Sequence, residues 1–261
     1  MDETGPIGIL GGTFDPVHYG HLRLAEEAAD ALGLTQVRLI PAALPNLRAR
    51  PGTKPHQRLE MTRLAAAHNP RLAVDDRELR REGMSYTVDT LDELRAELGA
   101  TRPIWLILGA DAFLRLPAWS RWLQLFDLAH IAVATRPGYT LDEAVRQSAE
   151  LAAEWHRRFV PDPVPPPPRA GASAGAIVPS VGASAGAVVP PCANAPAVAV
   201  VPRAGALADA PAGAIVHLPI PLLEISASDL RVRMSRGASV RYLLPPAVID
   251  YIAAHRLYPS Q

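Results

Sequence analysis

The chain has 261 residues and no net charge, because 26 lysine and arginine residues balance 26 aspartate and glutamate residues. This balance gives no support for nucleic-acid binding or for attachment to a membrane surface, which usually show as a basic excess. The single cysteine, Cys192, excludes an internal disulfide and a cysteine-rich zinc site. The N-terminus lacks a signal-peptide pattern and no apolar run approaches the ~18 residues of a membrane span, so we expect a cytoplasmic protein.

The chain opens with a predicted strand, a glycine turn and a helix start. Residues 7–21 read IGILGGTFDPVHYGH, and a helix is predicted over 22–32. The paired glycines have no Cβ, so a phosphate could approach their backbone closely, and a helix N-terminus favours an anion. His18 and His21 lie three residues apart, so at a helix start both rings would face one ligand. The pattern predicts a site for a nucleoside triphosphate.

Strands and helices alternate along the rest of the chain. Further strands are predicted over 37–40, 72–74, 104–108, 131–134 and 215–218. Further helices are predicted over 57–68, 85–98, 119–125, 140–159, 229–236 and 246–255, while 75–83 is expected to be exposed. The alternation predicts an α/β fold with a Rossmann-like doubly wound parallel sheet and a small C-terminal helical segment.

Composition changes sharply over 161–211, where proline, alanine, glycine and valine dominate. Two similar units, GASAGAIVP and GASAGAVVP, begin at Gly171 and Gly182. Because the segment has few large or charged side chains, it cannot offset the entropy of ordering. We therefore expect a disordered insertion between residues 1–160 and residues 212–261, whose last strand and helices complete the same domain.

Glycine and polar residues follow three predicted strands at their carboxyl ends, where open parallel sheets bind ligands. In chain order they are Gly11, Gly12 and Thr13, then Gly109 and Asp111, then Ser226 and Ser228. Ser228 suits a helix N-cap. Alternatively, Ser228 and Arg231 hold the terminal phosphates of a nucleotide.

Over everything except 161–211, the chain resembles bacterial nicotinate-nucleotide adenylyltransferases of the H-x-G-H nucleotidyltransferase superfamily. The matching stretches are GGTFDPVHYGHL, SYTVDTL, LILGADAF, LPAW, RPGY and ISASDLRVRMSRGASVRYLLPPAVIDYI. The first and last are typical of the superfamily, whereas SYTVDTL, LPAW and RPGY indicate the nicotinate branch. The resemblance implies transfer of AMP from ATP to nicotinate mononucleotide, which gives deamido-NAD and pyrophosphate.

The resemblance also implies an ATP site at the carboxyl edge of the sheet. The residues that carry over besides the two histidines are Gly11, Gly12, Thr13, Phe14, Gly109, Asp111, Ser226, Ser228 and Arg231. His18 and His21 are the implied catalytic residues, which would contact the phosphates and stabilise charge in the transition state. Mg²⁺ would arrive with ATP, held mainly by phosphates and water, and no protein metal site is expected.

For the acceptor, the resemblance implies that Trp119 stacks on the pyridine ring and that Tyr86 and Thr87 receive the nicotinate carboxylate. Arg136 would approach the acceptor phosphate. The family usually has a Pro-Pro-His-Lys/Arg stretch after the second strand. Here that stretch reads PNLR, so the histidine is missing and only Arg48 carries over to the acceptor site.

Three alternatives stay open at this point. The acceptor could be nicotinamide mononucleotide or phosphopantetheine, since sequence does not exclude an amide near Tyr86. The chain could instead be a nucleotide-binding regulatory protein without catalysis, a class favoured only by the missing histidine. An interaction protein acting through residues 161–211 would lose its function when they are deleted, whereas we expect the deletion to leave most activity.

Overall fold

A computed structural model of the chain describes residues 5–45, 51–161 and 210–259. The expectations for Arg48 and for the segment 162–209, which includes Cys192, fall outside these residues and stay predictions. Within the described residues, no helix is long and apolar enough to cross a membrane.

Six strands of the described residues form one parallel sheet. They are Ile7–Gly12 (β1), Gln36–Pro41 (β2), Leu72–Val74 (β3), Ile104–Gly109 (β4), His130–Thr135 (β5) and Ile215–Pro219 (β6). Their order is β3-β2-β1-β4-β5-β6, and all neighbours run parallel. The predicted Rossmann-like sheet is confirmed. The order reverses between β1 and β4, the place where such sheets bind ligands.

Helices cover both faces of the sheet. They are Tyr19–Leu32 (α1), Pro55–Ala66 (α2), Arg77–Arg80 (α3), Thr87–Leu98 (α4), Ala110–Phe113 (α5), Leu125–Leu128 (α6), Leu141–Val145 (α7), Ala149–Arg158 (α8), Ala227–Ser235 (α9) and Pro246–Ala254 (α10). Alternate residues of β1 face different layers: Leu10 packs in the cluster with α1 and α10, and Ile9 packs in the cluster with α4. Burial on both faces explains why the strand is apolar without interruption.

Helix α1 buries a stripe of three alanines and one leucine against the sheet, namely Ala25, Ala28, Ala29 and Leu32. It ends as predicted at Gly33, which has a φ of 64° and donates its N–H to the carbonyl of Ala29. Glycine adopts this left-handed conformation without a steric penalty.

The prediction that residues 75–83 are exposed is wrong in part, because six of these nine residues are half-buried or buried. They contain α3, on which Arg77 and Glu78 are buried. Arg77 Nη2 lies 2.7 Å from an oxygen of Asp75 and 2.6 Å from an oxygen of Glu97. A buried cation requires such pairing, and the partner carboxylate on α4 is not evident from local sequence.

Two predicted helices are interrupted. Within 119–125, Arg121 has a φ of 50°, and only a short 3₁₀ turn, Trp122–Gln124, precedes α6. The helix predicted over 140–159 is divided into α7 and α8. The division occurs at Ser148, whose hydroxyl accepts a hydrogen bond from the backbone N–H of Leu151 and so caps a new helix. Serine competes for backbone groups in this way and favours helix starts over helix interiors.

Residues after 212 add the sixth strand to the sheet that the first 160 residues build. In the register of β5 and β6, Ile131 lies opposite Ile215. Val160 donates its N–H to the carbonyl of Ile215 at 3.0 Å. The described residues that flank 162–209 therefore meet at the amino end of β6, opposite the edge where the strands end.

Candidate active site

The two histidines of the H-x-G-H pattern stack on each other at the start of α1. Their ring centroids are 3.7 Å apart with planes inclined by 27°, and the backbone N–H of His18 donates to Nδ1 of His21 at 3.3 Å. Phe14 meets the ring of His21 edge-on at 5.0 Å. The rings lie together, as expected for residues spaced three apart at a helix start.

His18 is buried and uncharged near neutral pH. Only 5% of the residue is exposed, and its Nδ1 has no hydrogen-bond partner among the described residues. Burial lowers the pKa of His18 to about 4, because the interior disfavours the imidazolium. A Cβ on Gly20 would lie 3.0 Å from this Nδ1, so the glycine of the pattern leaves room for the ring.

The two glycines at the end of β1 have different surroundings: Gly12 packs closely against Phe14, whereas Gly11 faces open space. A Cβ on Gly12 would lie 2.9 Å from the ring of Phe14, a contact that only glycine avoids. A Cβ on Gly11 would meet nothing within 4 Å, and this residue is exposed. Gly11 therefore presents its backbone to open space at the carboxyl edge, where a ligand could reach it.

Asp15 is the centre of a hydrogen-bond network that the sequence did not reveal. Its carboxylate is 4% exposed and accepts hydrogen bonds from three donors in two distant segments. These are the N–H of Gly52 at 3.0 Å, the hydroxyl of Thr53 at 2.6 Å and the hydroxyl of Tyr258 at 2.6 Å. An acidic residue within the opening motif was the one feature of the sequence that could have drawn attention to Asp15. Nothing in the sequence around Tyr258 indicated that its hydroxyl would bond to this carboxylate.

Arg231 joins the C-terminal motif to the opening motif across 216 positions of sequence. Its Nη1 donates to the backbone carbonyl of Asp15 at 2.7 Å, and its Nη2 donates to the hydroxyl of Ser228 at 3.1 Å. The N-cap of α9 is Ser226, whose hydroxyl accepts from the N–H of Asp229, so the expectation that Ser228 caps this helix is wrong. Ser228 lies in the first turn and is exposed beside Arg231.

Gly109 and Asp111 lie at the same edge of the sheet as the glycine turn. Gly109 ends β4, which pairs directly with β1, and Asp111 is exposed in the short helix α5 that follows. Adjacent parallel strands bring these two motifs to one edge although about a hundred residues of sequence separate them.

Two of the predicted acceptor residues, Tyr86 and Thr87, lie at the start of α4, beside the residues that follow β2. Tyr86 is the N-cap of α4 and Thr87 its first residue. Ser85, just before them, accepts a hydrogen bond from the N–H of Ala43 at 3.0 Å, which holds this segment against the residues after β2. Tyr86 and Trp119 are both half-buried and pack against the cluster that contains α4.

Arg136 is exposed after β5 and forms an ion pair with Glu224, which is also exposed. The carboxylate of Glu224 therefore already neutralises the charge of this guanidinium. A role for Arg136 in holding an acceptor phosphate stays a prediction, as does the role of Arg48, which lies outside the described residues.

Arg58 is a second residue that sequence patterns did not single out. It is fully buried on α2, with 0% of its surface exposed. Its Nη1 donates to the carbonyl of Thr13 at 2.7 Å, and its Nη2 donates to the carbonyl of Ala43 at 3.0 Å. An arginine near the start of a helix usually indicates a solvated face, so the sequence carried no signal of its burial.

No group of three or more histidine, cysteine, aspartate or glutamate side chains that could hold a metal ion occurs in residues 5–45, 51–161 and 210–259. The expectation that Mg²⁺ arrives with ATP needs no such group, because phosphate oxygens and water supply most of its ligands.

Comparison with known proteins agrees with this geometry. A family model described as cytidylyltransferase-like matches residues 9–233. A Halorhodospira halophila protein named "probable nicotinate-nucleotide adenylyltransferase" is 45% identical over 244 residues, which cover 93% of this chain and 90% of that protein. A Dechloromonas aromatica protein of the same name is 41% identical over 97% of both chains. The solved structure of Plasmodium falciparum nicotinic acid mononucleotide adenylyltransferase complexed with NaAD, 16% identical, shares the fold with a TM-score of 0.62 over 97% of both chains.

Proposed function

The chain belongs to the nicotinate-nucleotide adenylyltransferase family, and from this membership we propose that it transfers AMP from ATP to nicotinate mononucleotide. The products are deamido-NAD, a dinucleotide of NAD biosynthesis, and pyrophosphate. The observation that carries the proposal is the contact of Arg231 with Asp15, because it places both superfamily motifs around one carboxyl edge.

The reaction is a displacement at the α-phosphorus of ATP. An oxygen of the acceptor 5′-phosphate forms a bond to that phosphorus, and the bond to the bridging oxygen breaks as pyrophosphate leaves. Such transfers need little covalent help from protein, so alignment of the reactants and stabilisation of the developing charge do most of the work.

His18 and His21 are proposed to contact the ATP phosphates at the N-terminus of α1. In the ligand-free protein His18 is neutral, with a pKa of about 4. A polyphosphate beside the ring would raise this pKa, since an adjacent negative charge favours the imidazolium. Binding of ATP therefore supplies the condition under which His18 can take up a proton and stabilise negative charge in the transition state.

The β- and γ-phosphates are proposed to bind at the start of α9. Ser226 and Ser228 are exposed there. The guanidinium of Arg231 donates one hydrogen bond to the carbonyl of Asp15 in the opening motif and one to the hydroxyl of Ser228 on its own helix. The remaining N–H donors of this planar cation suit phosphate oxygens. Gly11 would offer its backbone to ATP, Gly109 and Asp111 would hold the adenosine part, and Mg²⁺ would enter bound to the phosphates.

Acceptor choice is assigned to Tyr86, Thr87 and Trp119. The N-terminus of α4 begins at Thr87, and a helix N-terminus favours a carboxylate over an uncharged amide. Trp119 offers a half-buried ring for stacking. Together these features favour nicotinate over nicotinamide mononucleotide.

The test is an acceptor assay with purified protein, ATP and Mg²⁺. Nicotinate mononucleotide, nicotinamide mononucleotide and phosphopantetheine are supplied separately, and the adenylylated acceptor and pyrophosphate are quantified by chromatography. We expect the highest kcat/KM with nicotinate mononucleotide. Equal efficiency with nicotinamide mononucleotide would refute the acceptor assignment, and no product with any acceptor would favour the non-catalytic alternative.

A further inference from the structure

Arg58 stands out because a fully buried guanidinium bonds two carbonyls that belong to different strand-end segments. Thr13 follows β1 and Ala43 follows β2, so one side chain links the carboxyl ends of two neighbouring strands. The interior burial lowers the pKa of Arg58, while the nearby negative charges of Asp15 and Glu78 act in the opposite direction. These carboxylates compensate the buried cation and help retain it.

Each of the two carbonyls leads to a different substrate region. Thr13 belongs to the glycine turn assigned to ATP. Ala43 donates its own N–H to the hydroxyl of Ser85, and the N–H of Ser85 donates to the carbonyl of Leu44 at 3.0 Å. Ser85 directly precedes Tyr86 and Thr87, which we call the acceptor segment. A continuous series of hydrogen bonds through Arg58 therefore joins this segment to residues 11–13, which we call the ATP turn.

We propose that Arg58 is a positioning residue that sets the separation between the ATP turn and the acceptor segment, a role that rests on the proposed adenylyl transfer. The guanidinium contacts neither reacting group. It acts through Thr13 on one side and through Ala43 and Ser85 on the other.

In-line displacement is sensitive to this separation. The attacking oxygen and the phosphorus must approach within about 3–3.5 Å in good alignment, and a shift of about 1 Å can lower the rate about 100-fold. A planar fork holds two carbonyls at fixed spacing, whereas the ammonium of lysine is a point donor on a flexible stem. Arg58→Lys keeps the charge opposite Asp15 and Glu78 but removes the fork.

The test is steady-state kinetics of Arg58→Lys with ATP and nicotinate mononucleotide. We expect kcat to fall on the order of 10- to 100-fold, with both KM values within about threefold of the wild type, because each site stays intact while their alignment changes. Arg63→Lys is the matched control, since Arg63 lies on the same helix but is exposed and pairs with Asp76 at the surface. It should behave as the wild type.

A wild-type kcat in Arg58→Lys, or a rise of either KM without loss of kcat, would overturn the proposal. If Arg58→Lys does not fold, Ser85→Ala decides by the same criteria, because it removes the link to Ala43 and leaves the buried cation in place. A wild-type kcat in Ser85→Ala then overturns the proposal, and a lowered kcat with unchanged KM values supports it. Wild-type protein that makes no dinucleotide would instead refute the proposed function, so the two failures are distinguishable.

Discussion

The phosphate side and the acceptor side of the candidate site are held in different ways. On the phosphate side, a buried carboxylate, Asp15, accepts hydrogen bonds from three donors in two distant segments, and Arg231 reaches from the C-terminal part of the chain to the backbone carbonyl of the same residue. On the acceptor side, Trp119 and Tyr86 are half-buried against one cluster, and Arg136 is at the surface with Glu224.

From this difference we infer that the phosphate side and the acceptor side act on different steps of the proposed reaction. Groups that stabilise charge in a transition state must be fixed before the reaction, and a buried network provides that order. Groups that select an acceptor need only be present at the rim of the site, since their contacts form with the ligand. Changes on the phosphate side should therefore lower kcat, and changes on the acceptor side should raise KM for the acceptor.

The largest expected effect is that of His18→Ala. Removal of the imidazole should lower turnover about 1,000-fold or more, as expected for a group that stabilises developing charge. Circular dichroism should show an intact fold, because the change leaves the helix α1 and its alanine stripe in place. His68→Ala, an exposed histidine after α2, is the control and should retain activity. Undiminished turnover in His18→Ala would remove the catalytic assignment.

Stability should depend on pH through the same residue. His18 has a pKa of about 4 in the folded protein and 6.5 when unperturbed. Between these values the unfolded chain binds a proton at His18 that the folded protein does not. The contribution of this residue to stability therefore falls as the pH drops from 6.5 to 4 and is constant below pH 4. The difference between these two pKa values corresponds to about 3 kcal/mol in the free energy of unfolding.

Urea unfolding of the wild type and of His18→Gln at neutral pH and near pH 4 measures the contribution of His18 to the free energy of unfolding. His130 and His217 also have pKa values lowered by burial and contribute equally to both proteins. The wild type should lose about 3 kcal/mol more than the variant over this interval. Parallel losses in the two proteins would show that His18 is not desolvated.

Tyr258→Phe tests whether the buried network stabilises the phosphate side. Asp15 would keep Gly52 and Thr53 as donors but lose the phenol, a hydrogen bond to a charged acceptor worth about 2 kcal/mol. Urea unfolding should show this loss, while Tyr242→Phe, at a residue that is 91% exposed, should show none. Equal stability of both variants would place the Tyr258 hydroxyl outside the network.

Trp119→Ala is expected to have the smallest effect of the four. Loss of a stacking partner should raise KM for nicotinate mononucleotide about 10-fold, with KM for ATP unchanged. Leu123→Ala, at an exposed apolar residue nearby, is the control. A fall in kcat without a change in acceptor KM would contradict the distinction between the two sides.

Local patterns were sufficient for most of the fold. The apolar runs predicted all six strands within one or two residues, because strands buried on both faces must be apolar throughout. Gly33 was recognised as a helix end because its conformation is local. Patterns failed at α3, where the burial of Arg77 depends on Glu97 of another helix, and at Ser148, whose capping overrides an otherwise helical pattern.

The motifs contain the residues that we propose to surround the reaction, but not the residues that hold them in place. Ser228 and Arg231 were candidates from sequence, yet the contact of Arg231 with Asp15 forms only when β6 and α9 return to the first strand. Arg58 and Tyr258 carried no signal, because a buried arginine and a terminal tyrosine look ordinary until their partners are known.

By itself, the sequence determined the parallel α/β fold, the family and the type of chemistry, since each follows from local periodicity or from contiguous motifs such as GGTFDPVHYGH. Only the tertiary structure decided that His18 is buried and uncharged and that Asp15 accepts hydrogen bonds from distant segments. It also decided that Arg58 links the residues that follow β1 and β2. The physical reason is that desolvation and hydrogen bonding depend on which groups meet in space. Spacing along the chain sets only which groups are available.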